Sequence, residues 1–244
     1  MSGELWHRDP KILYPTVWRE FERQSKINKD VIHKFQIRDA TTDDIPQILQ
    51  HMRENFLVDE PLCKILNATK NAEILEAFDS FWISKIKEKT ALVCTLDCNP
   101  KLVVGVNITF VSTVNSTVPR FECEVLQHFT DVFSYMDKTA NIFEIFQTDK
   151  ILIAAGLSVD KNFRGYGIGV EILLARKALC KALNICVTTT VFTSVAGQIV
   201  AKRAGFDLLF EKQLSEIRQC IPGLDLPNDI SHSIVIQLMF LKIL

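Results

Sequence analysis

The chain has 244 residues, of which 48% are hydrophobic and 23% are charged, a balance typical of a globular protein rather than a disordered one. Its 28 Lys and Arg residues against 29 Asp and Glu residues leave a net charge of −1. The composition therefore lacks the basic surplus with which a general nucleic-acid binder or anionic-membrane binder neutralises phosphates. No stretch approaches 18 apolar residues and the N-terminus lacks the apolar core of a secretory signal, so we expect a cytoplasmic protein with no membrane partner.

The chain shows no internal repeat, low-complexity tract or Gly/Ser-rich linker, so we interpret it as one domain with an N-terminal extension. Residues 1–34 are charged and aromatic, and we expect them to form an ordered arm or lid that contains one short helix. Residues 35–244 then form the single domain.

The first half of that domain alternates between strand and helix patterns. The patterns predict, in order, a strand, two amphipathic helices and a hairpin of two strands. Their ranges are 35–39, 41–57, 70–88, 91–97 and 101–112. Asn99-Pro100 suits the turn of the hairpin, and Pro61 is expected to mark the end of the first helix.

The second half begins with a stretch, 113–130, that has no clear pattern. After it we predict a helix, a buried strand, a helix, a strand, a short helix and two strands. Their ranges are 131–147, 150–159, 167–183, 185–192, 195–204, 206–213 and 233–243. Hairpins together with a β-loop-α-β crossover indicate an α/β fold of the mixed (α+β) kind, a central mixed sheet flanked by helices.

The most informative segment is the loop between the strand 150–159 and the helix that follows it. A hydrophobic strand leads into a glycine-rich turn, Arg164–Gly169, which opens a helix. This arrangement directs unpaired backbone N–H groups and the positive end of the helix toward one point. Because glycines let the backbone approach an anion and Arg164 adds a forked cation, the segment is suited to a pyrophosphate.

The spacing of the loop distinguishes between kinds of pyrophosphate site. The glycines do not fit the G-x-G-x-x-G of a Rossmann fold, and no P-loop motif is present. Arg164-x-x-Gly167-x-Gly169 resembles the R/Q-x-x-G-x-G/A motif of the GCN5-related N-acetyltransferases, which bind acetyl-CoA. The resemblance implies their fold and acetyl-CoA as cosubstrate. It also implies cofactor-binding residues along the strand and the loop, namely Leu157, Ser158, Val159, Arg164, Gly165, Tyr166, Gly167, Ile168 and Gly169. In Tyr166 we expect the backbone to matter more than the ring.

A downstream segment, 194–206, is similar to the family's N-x-x-A-x-x-L-Y-x-K-x-G-F pattern and ends in the same Gly-Phe pair. Many family members use its Tyr as the acid that protonates the leaving thiolate. Here that position is Ala201, and the nearest hydroxyls along the chain belong to Ser194 and Thr193. We take Ser194 as the candidate acid, although the first residue of a helix favours the N-cap role equally well. The two roles are compatible.

Asp59-Glu60-Pro61-Leu62 resembles the D-E-P-L signature of the insect arylalkylamine N-acetyltransferases, in which the Glu is the general base. The resemblance implies that Glu60 is catalytic. From the residues alone, without the resemblance, a solvated helix end interrupted by Pro61 explains the acidic pair better than catalysis does. A base would accept the proton of an amine that attacks the thioester, and burial would raise the carboxyl pKa toward the useful range.

We therefore expect a monomeric acetyl-CoA-dependent enzyme that acetylates a dopamine-, serotonin- or tryptamine-like amine and has no nucleic-acid partner. Two alternatives stay open: a different acceptor (a polyamine or a protein amine) or a longer acyl donor, and a weakly catalytic CoA-binding paralogue. An aromatic substrate pocket would favour the first reading. The candidates for its walls are Phe35, Phe56, Phe143 and Phe146.

The seven cysteines are irregularly spaced, no Cys-x-x-Cys pair occurs, and the five histidines are scattered. These spacings favour reduced thiols and give no pattern of zinc ligands. We expect no bound metal.

Overall fold

The computed structural model describes residues 6–117, 119–224, 226 and 233–243. The first five residues of the expected arm and the C-terminal Leu244 lie outside the described residues.

The strands of the described chain form one mixed sheet of eight strands in the order β1-β2-β3-β4-β5-β6-β8-β7. All neighbours are antiparallel except β5 and β6, which are parallel. The strands are β1 (Val17–Gln24), β2 (Ile32–Asp39), β3 (Leu92–Leu96), β4 (Asn99–Thr113), β5 (Lys150–Val159), β6 (Val187–Phe192), β7 (Asp207–Gln213) and β8 (Val235–Lys242). The mixed sheet confirms the fold class that the order of elements predicts.

Helices cover both faces of the sheet. They are α1 (Ile45–His51), α2 (Leu57–Asp59), α3 (Pro61–Ile65), α4 (Ala72–Ile86), α5 (Glu124–Ala140), α6 (Ile142–Phe146), α7 (Ile168–Ala182), α8 (Val195–Arg203) and α9 (Leu214–Arg218). Apolar side chains of α1, α4, α5 and α9 pack in one core, whereas α7 packs against the other face of β2–β5. A third cluster joins α7, α8 and β8.

The structure corrects several expectations. The short helix expected in the arm is not formed by residues 6–34, which instead provide the edge strand β1. That residues 1–34 act as a lid remains a proposal. The single helix expected over 41–57 is divided into a 3-10 turn, α1, a π-helical turn and α2, and Pro61 begins α3 instead of only ending the helix before it. Proline is tolerated there because the first residue of a helix needs no N–H partner.

The helix expected over 131–147 is also divided, since α5 begins earlier, at Glu124, and the chain breaks at Asn141 before α6. Asn141 has a φ of 48°, in the left-handed region that Asn tolerates better than most residues. The break turns α6 away from the axis of α5.

Strands β5 and β6 diverge, which leaves a wedge in the middle of the sheet. Their only paired positions among the described residues are Leu152 and Thr188, whereas β5 stays paired with β4 as far as Val159. Arg176 of α7 lies fully buried at the apex and donates to the Leu152 carbonyl at 3.0 Å and to the Thr190 hydroxyl at 2.7 Å. Burial lowers the pKa of Arg176 to about 10, which is still well above neutral pH. The guanidinium therefore stays charged, and its hydrogen bonds hold the two strands together where they part.

Candidate active site

Glu60 is the single residue between α2 and α3, and its backbone is extended, with a φ of −67° and a ψ of 126°. Its side chain caps α3, because one carboxyl oxygen accepts the Cys63 N–H at 2.5 Å. The other oxygen accepts the hydroxyl of Thr193 at 2.6 Å. Glu60 is 7% exposed, which contradicts the reading of this motif as a solvated helix end.

Burial raises the pKa of Glu60 above its ordinary value of 4.5, and the hydrogen bonds from Thr193 and Cys63 oppose the rise. The direction follows because a carboxylate loses hydration when it is enclosed, while each donor stabilises the charged form. A carboxylate oxygen accepts more than one hydrogen bond, so the Glu60 oxygens keep the capacity to accept a further proton donor.

The glycine-rich loop approaches the segment that holds Glu60. Arg164 donates from Nη2 to the Asp59 carboxylate at 2.6 Å and from Nε to the Val159 carbonyl at 3.2 Å. The Arg164 and Asp59 side chains are 49% and 45% exposed, so their ion pair adds little to stability. The two motifs that the sequence singles out are therefore in contact.

The loop backbone turns through left-handed conformations at Gly165 and Gly167, whose φ angles are 80° and 79°. A Cβ at Gly165 would meet only the flexible end of the Lys26 side chain, so the left-handed backbone rather than lack of space favours glycine there. The Lys26 ammonium donates to the Arg164 carbonyl at 2.7 Å. Gly169 has a different reason, because a Cβ there would lie 3.2 Å from a methyl group of Val200 in α8. Ile168 follows Gly167 as the first residue of α7 and is buried.

Tyr166 ties the loop to β1 with both its backbone and its ring. The ring is 7% exposed and packs against Phe35, and its hydroxyl accepts the Lys26 N–H at 2.8 Å. Arg23 of β1 donates to the Tyr166 carbonyl at 3.1 Å and also pairs with Glu171 of α7. These contacts give the ring a place in the fold, and the expectation that the backbone of Tyr166 matters more than its ring for the cofactor stays a prediction. Strand β1, which belongs to the expected arm, braces the loop.

Leu157, Ser158 and Val159 form the end of β5 that leads into the loop. They pair with β4 opposite Asn107, Val106 and Gly105. No described residue of β6 pairs with this end of β5, so its second edge faces the wedge.

Ser194 caps α8, because its hydroxyl oxygen accepts the Gly197 N–H at 3.1 Å. The N-cap role considered for Ser194 is therefore observed, and the acid role remains a prediction. Its neighbour Thr193, 9% exposed, makes the bond to Glu60. Ala201, at the position of the family Tyr, is fully buried in α8.

A cavity of about 660 Å³ lies on the face of the sheet that α4 and α5 cover. It reaches the apex of the wedge through Ala154 and Ala155 of β5 and the residues 189–191 of β6. Its aromatic walls are Trp6, Phe81, Phe110, Phe129, Phe133 and Phe143.

Of the four phenylalanines expected in such a pocket, only Phe143 lines it. Phe56 does not line the cavity but packs against the wall residue Phe129, with 6.3 Å between the two ring centroids. Phe35 lies in the core on the other face of the sheet, and Phe146 packs against Phe240.

No protein-family model matches the chain, and no curated protein sequence matches it. Several solved structures match the chain. The structure of arylalkylamine N-acetyltransferase 7 from the yellow fever mosquito Aedes aegypti superposes with a TM-score of 0.89 at 28% identity, over 97% of this chain and 99% of that one. The chain has the fold of the GCN5-related N-acetyltransferases.

Two further acetyltransferase structures share the fold at lower identity. Arylalkylamine N-acetyltransferase 2 of Aedes aegypti gives a TM-score of 0.72 at 19% identity, over 86% of this chain and 99% of that one. A polyamine N-acetyltransferase of Drosophila melanogaster, which forms N-acetylagmatine, gives 0.67 at 15% identity, over 86% and 100%. This protein is therefore an N-acetyltransferase with an insect arylalkylamine N-acetyltransferase-like fold.

Two features of this candidate site are not predicted from the sequence. The bond between Glu60 and Thr193 joins residues 133 positions apart, and no local pattern predicts it. The other is Asp137, which lines the cavity. Its position, four residues after Phe133 and eight after Phe129, places the three side chains on one helix face and could have indicated it.

Among the described residues, no group of three or more His, Cys, Asp or Glu side chains is placed to hold a metal ion. No helix in the described part of the chain is long and apolar enough to span a bilayer.

Proposed function

We propose that the protein transfers the acetyl group of acetyl-CoA to the primary amine of a small arylalkylamine, by direct attack of the amine, with Glu60 as general base. One observation carries the proposal. The buried Glu60 carboxylate accepts a hydrogen bond from Thr193, the residue directly after β6, and residues of β6 line a cavity with phenylalanine rings in its walls. Val191 lines that cavity two residues before Thr193, a separation of about 7 Å along an extended strand.

The loop fits the pyrophosphate of acetyl-CoA, which supplies the acetyl thioester. Its two left-handed glycines, Gly165 and Gly167, place backbone rather than side chain at the start of α7, where the first N–H groups of a helix have no partner within it. Arg164 would exchange the Asp59 carboxylate for phosphate oxygens. The free edge of 157–159 would provide backbone N–H groups for pantetheine and for the thioester carbonyl.

The acceptor amine must lose a proton before it attacks, and Glu60 is the group that accepts this proton. An alkylamine resembles the Lys amine, so at pH 7 only about one molecule in a thousand is neutral, a deficit of roughly 4 kcal/mol. The Glu60 carboxylate accepts the ammonium proton, directly or through a water molecule. The rise of its pKa on burial brings it closer to the operating pH, which makes proton transfer more effective.

The remaining steps fall to groups around the wedge. Backbone N–H groups of β5 stabilise the negative oxygen that forms when the amine attacks, an effect worth several kcal/mol in acyl transfer. Ser194 passes a proton to the leaving thiolate, directly or through a water molecule, and its oxygen regains a proton from solvent water. Its oxygen accepts the Gly197 N–H as the cap of α8, and its own hydrogen stays available because a hydroxyl both donates and accepts.

The test is acetyl transfer to a panel of amines, namely phenethylamine, tyramine, dopamine, serotonin, tryptamine, spermidine and a lysine peptide. Products are measured by mass, because the seven cysteines would react with thiol-detecting dyes. Wild type runs beside Glu60→Gln and a matched control, Glu54→Gln, which changes an exposed carboxyl in the same segment.

Transfer to arylalkylamines that Glu60→Gln loses and Glu54→Gln keeps is the expected result. Transfer to spermidine or the peptide alone would show that the acceptor is a polyamine or a protein amine, with acetyl-CoA still the cosubstrate. Binding of acetyl-CoA without transfer to any amine would favour a CoA-binding paralogue, and an absence of binding would refute the interpretation of the loop.

A further inference from the structure

The cavity contains one carboxyl group that the proposed chemistry does not use. Phe129, Phe133 and Asp137 follow one another at intervals of four residues along α5, so they lie on one face of the helix. All three line the cavity. The Asp137 carboxyl is thus set at the end of a row of phenylalanine rings.

Asp137 has no hydrogen bond or ion pair with any described residue. Burial raises its pKa to about 7, and no neighbouring cation opposes the rise. The other charged residues of the cavity wall do not neutralise it: Lys85 pairs with Glu88 at 2.8 Å and lies over the Phe110 ring, and Lys138 is exposed. Asp137 is half-buried, and a carboxyl that lines an apolar cavity without a partner weakens folding, so its position there indicates a functional role.

The position of Asp137 within the cavity follows from the direction of α5. The Phe129 ring meets the Phe56 ring, and the Phe56 carbonyl accepts the N–H of Glu60 at 2.8 Å, so this end of the row is next to the base. Asp137 comes eight residues later, about 12 Å along the helix axis. An acceptor whose amine reaches Glu60 would extend its far end toward Asp137.

We propose that Asp137 determines acceptor specificity by accepting a hydrogen bond from a donor group at the end of the substrate remote from the reacting amine. The proposal rests on the proposed function and deepens it: the acceptor is a primary amine with a second donor, supplied by a ring hydroxyl or by a second ammonium. The phenylalanine rings enclose the apolar segment between the two ends of such a molecule.

The test compares pairs of amines that differ only in the distal donor. Phenethylamine and tyramine differ by a ring hydroxyl, and hexylamine and 1,6-diaminohexane by a second ammonium. Values of kcat/KM are measured for wild type, Asp137→Leu, Asp137→Asn and a control, Asp131→Asn, which neutralises a carboxyl of α5 that does not line the cavity. Calorimetric binding of acetyl-CoA to each variant verifies that it is folded.

In wild type, the donor-bearing member of at least one pair is the better substrate. Asp137→Leu lowers kcat/KM for that member about 10- to 100-fold and changes the donor-free member little, as expected for one lost hydrogen bond to a carboxylate. Asp137→Asn keeps an acceptor oxygen, so it largely preserves the preference for tyramine but abolishes a preference for the diamine. The two sources of the donor are thereby distinguished.

Equal effects of Asp137→Leu on both members of each pair would overturn the proposal, because they would show a structural role only. If wild type acetylates no amine, the proposed function fails, and calorimetric binding of the same amine pairs then tests Asp137 without turnover. Loss of the donor-bearing amine's advantage in Asp137→Leu would support the site even then, and the absence of any advantage in wild type would overturn it.

Discussion

The hydrogen bond from Thr193 to Glu60 sets the pKa of the base and can be removed on its own. Thr193→Val keeps the shape of the side chain and deletes the hydroxyl that lies 2.6 Å from the Glu60 carboxyl. A hydrogen bond to a charged group contributes about 1.5–3 kcal/mol, and 1.36 kcal/mol corresponds to one pKa unit. Because the bond favours the ionised form, its loss raises the Glu60 pKa by about 1–2 units.

The assay is the pH dependence of kcat/KM for acetyl transfer. The base works only when ionised, so activity falls as the pH drops through the Glu60 pKa, and this acid limb is expected to move upward by about 1–2 pH units in Thr193→Val. Thr193→Ser keeps the donor and restores the wild-type limb. An acid limb that stays in place in Thr193→Val, or moves to lower pH, would refute the assignment of that limb to Glu60.

Variants at two further positions, 194 and 164, separate binding, stability and chemistry. Ser194→Ala removes the cap of α8, so we expect a loss of about 0.5–2 kcal/mol in unfolding free energy and a lower kcat; Ser194→Asn should restore the melting temperature but not kcat, and recovery of both would exclude the acid role. Arg164→Gln is expected to weaken calorimetric binding of acetyl-CoA about 10-fold or more. The same variant should change the unfolding free energy by less than about 1 kcal/mol, because its pair with Asp59 is half exposed; unchanged binding would contradict the proposed phosphate contact.

Local pattern was enough to predict much of the fold. The run 150–159 is apolar without interruption over 151–157 and forms β5 over the expected residues. The helix that follows the glycines begins within one residue of its predicted start. The interrupted helices were missed because periodicity reports which residues are buried and not where the axis breaks. Asn141 and the π-helical turn before α2 alter the backbone without disturbing the apolar spacing.

The site was predictable only as separate motifs. The residues of the loop and the segment around Glu60 were named from the sequence, but their contact through Arg164 and Asp59 depends on the packing of segments 105 residues apart. The edge strand β1 was missed because its alternation is carried by arginines and glutamates rather than by apolar residues. Its role in bracing Tyr166 emerges only when the sheet is assembled.

The central claim is that Glu60 takes the proton from the attacking amine, and the pH profile of Glu60→Gln tests it most directly. Wild type should show an acid limb above pH 4.5, the ordinary carboxyl pKa, because burial raises the pKa of Glu60. Glu60→Gln should lose about 10²–10⁴-fold in kcat/KM near neutral pH and lose that limb, while acetyl-CoA binds as in wild type. A variant that keeps both the limb and the wild-type rate would contradict the account.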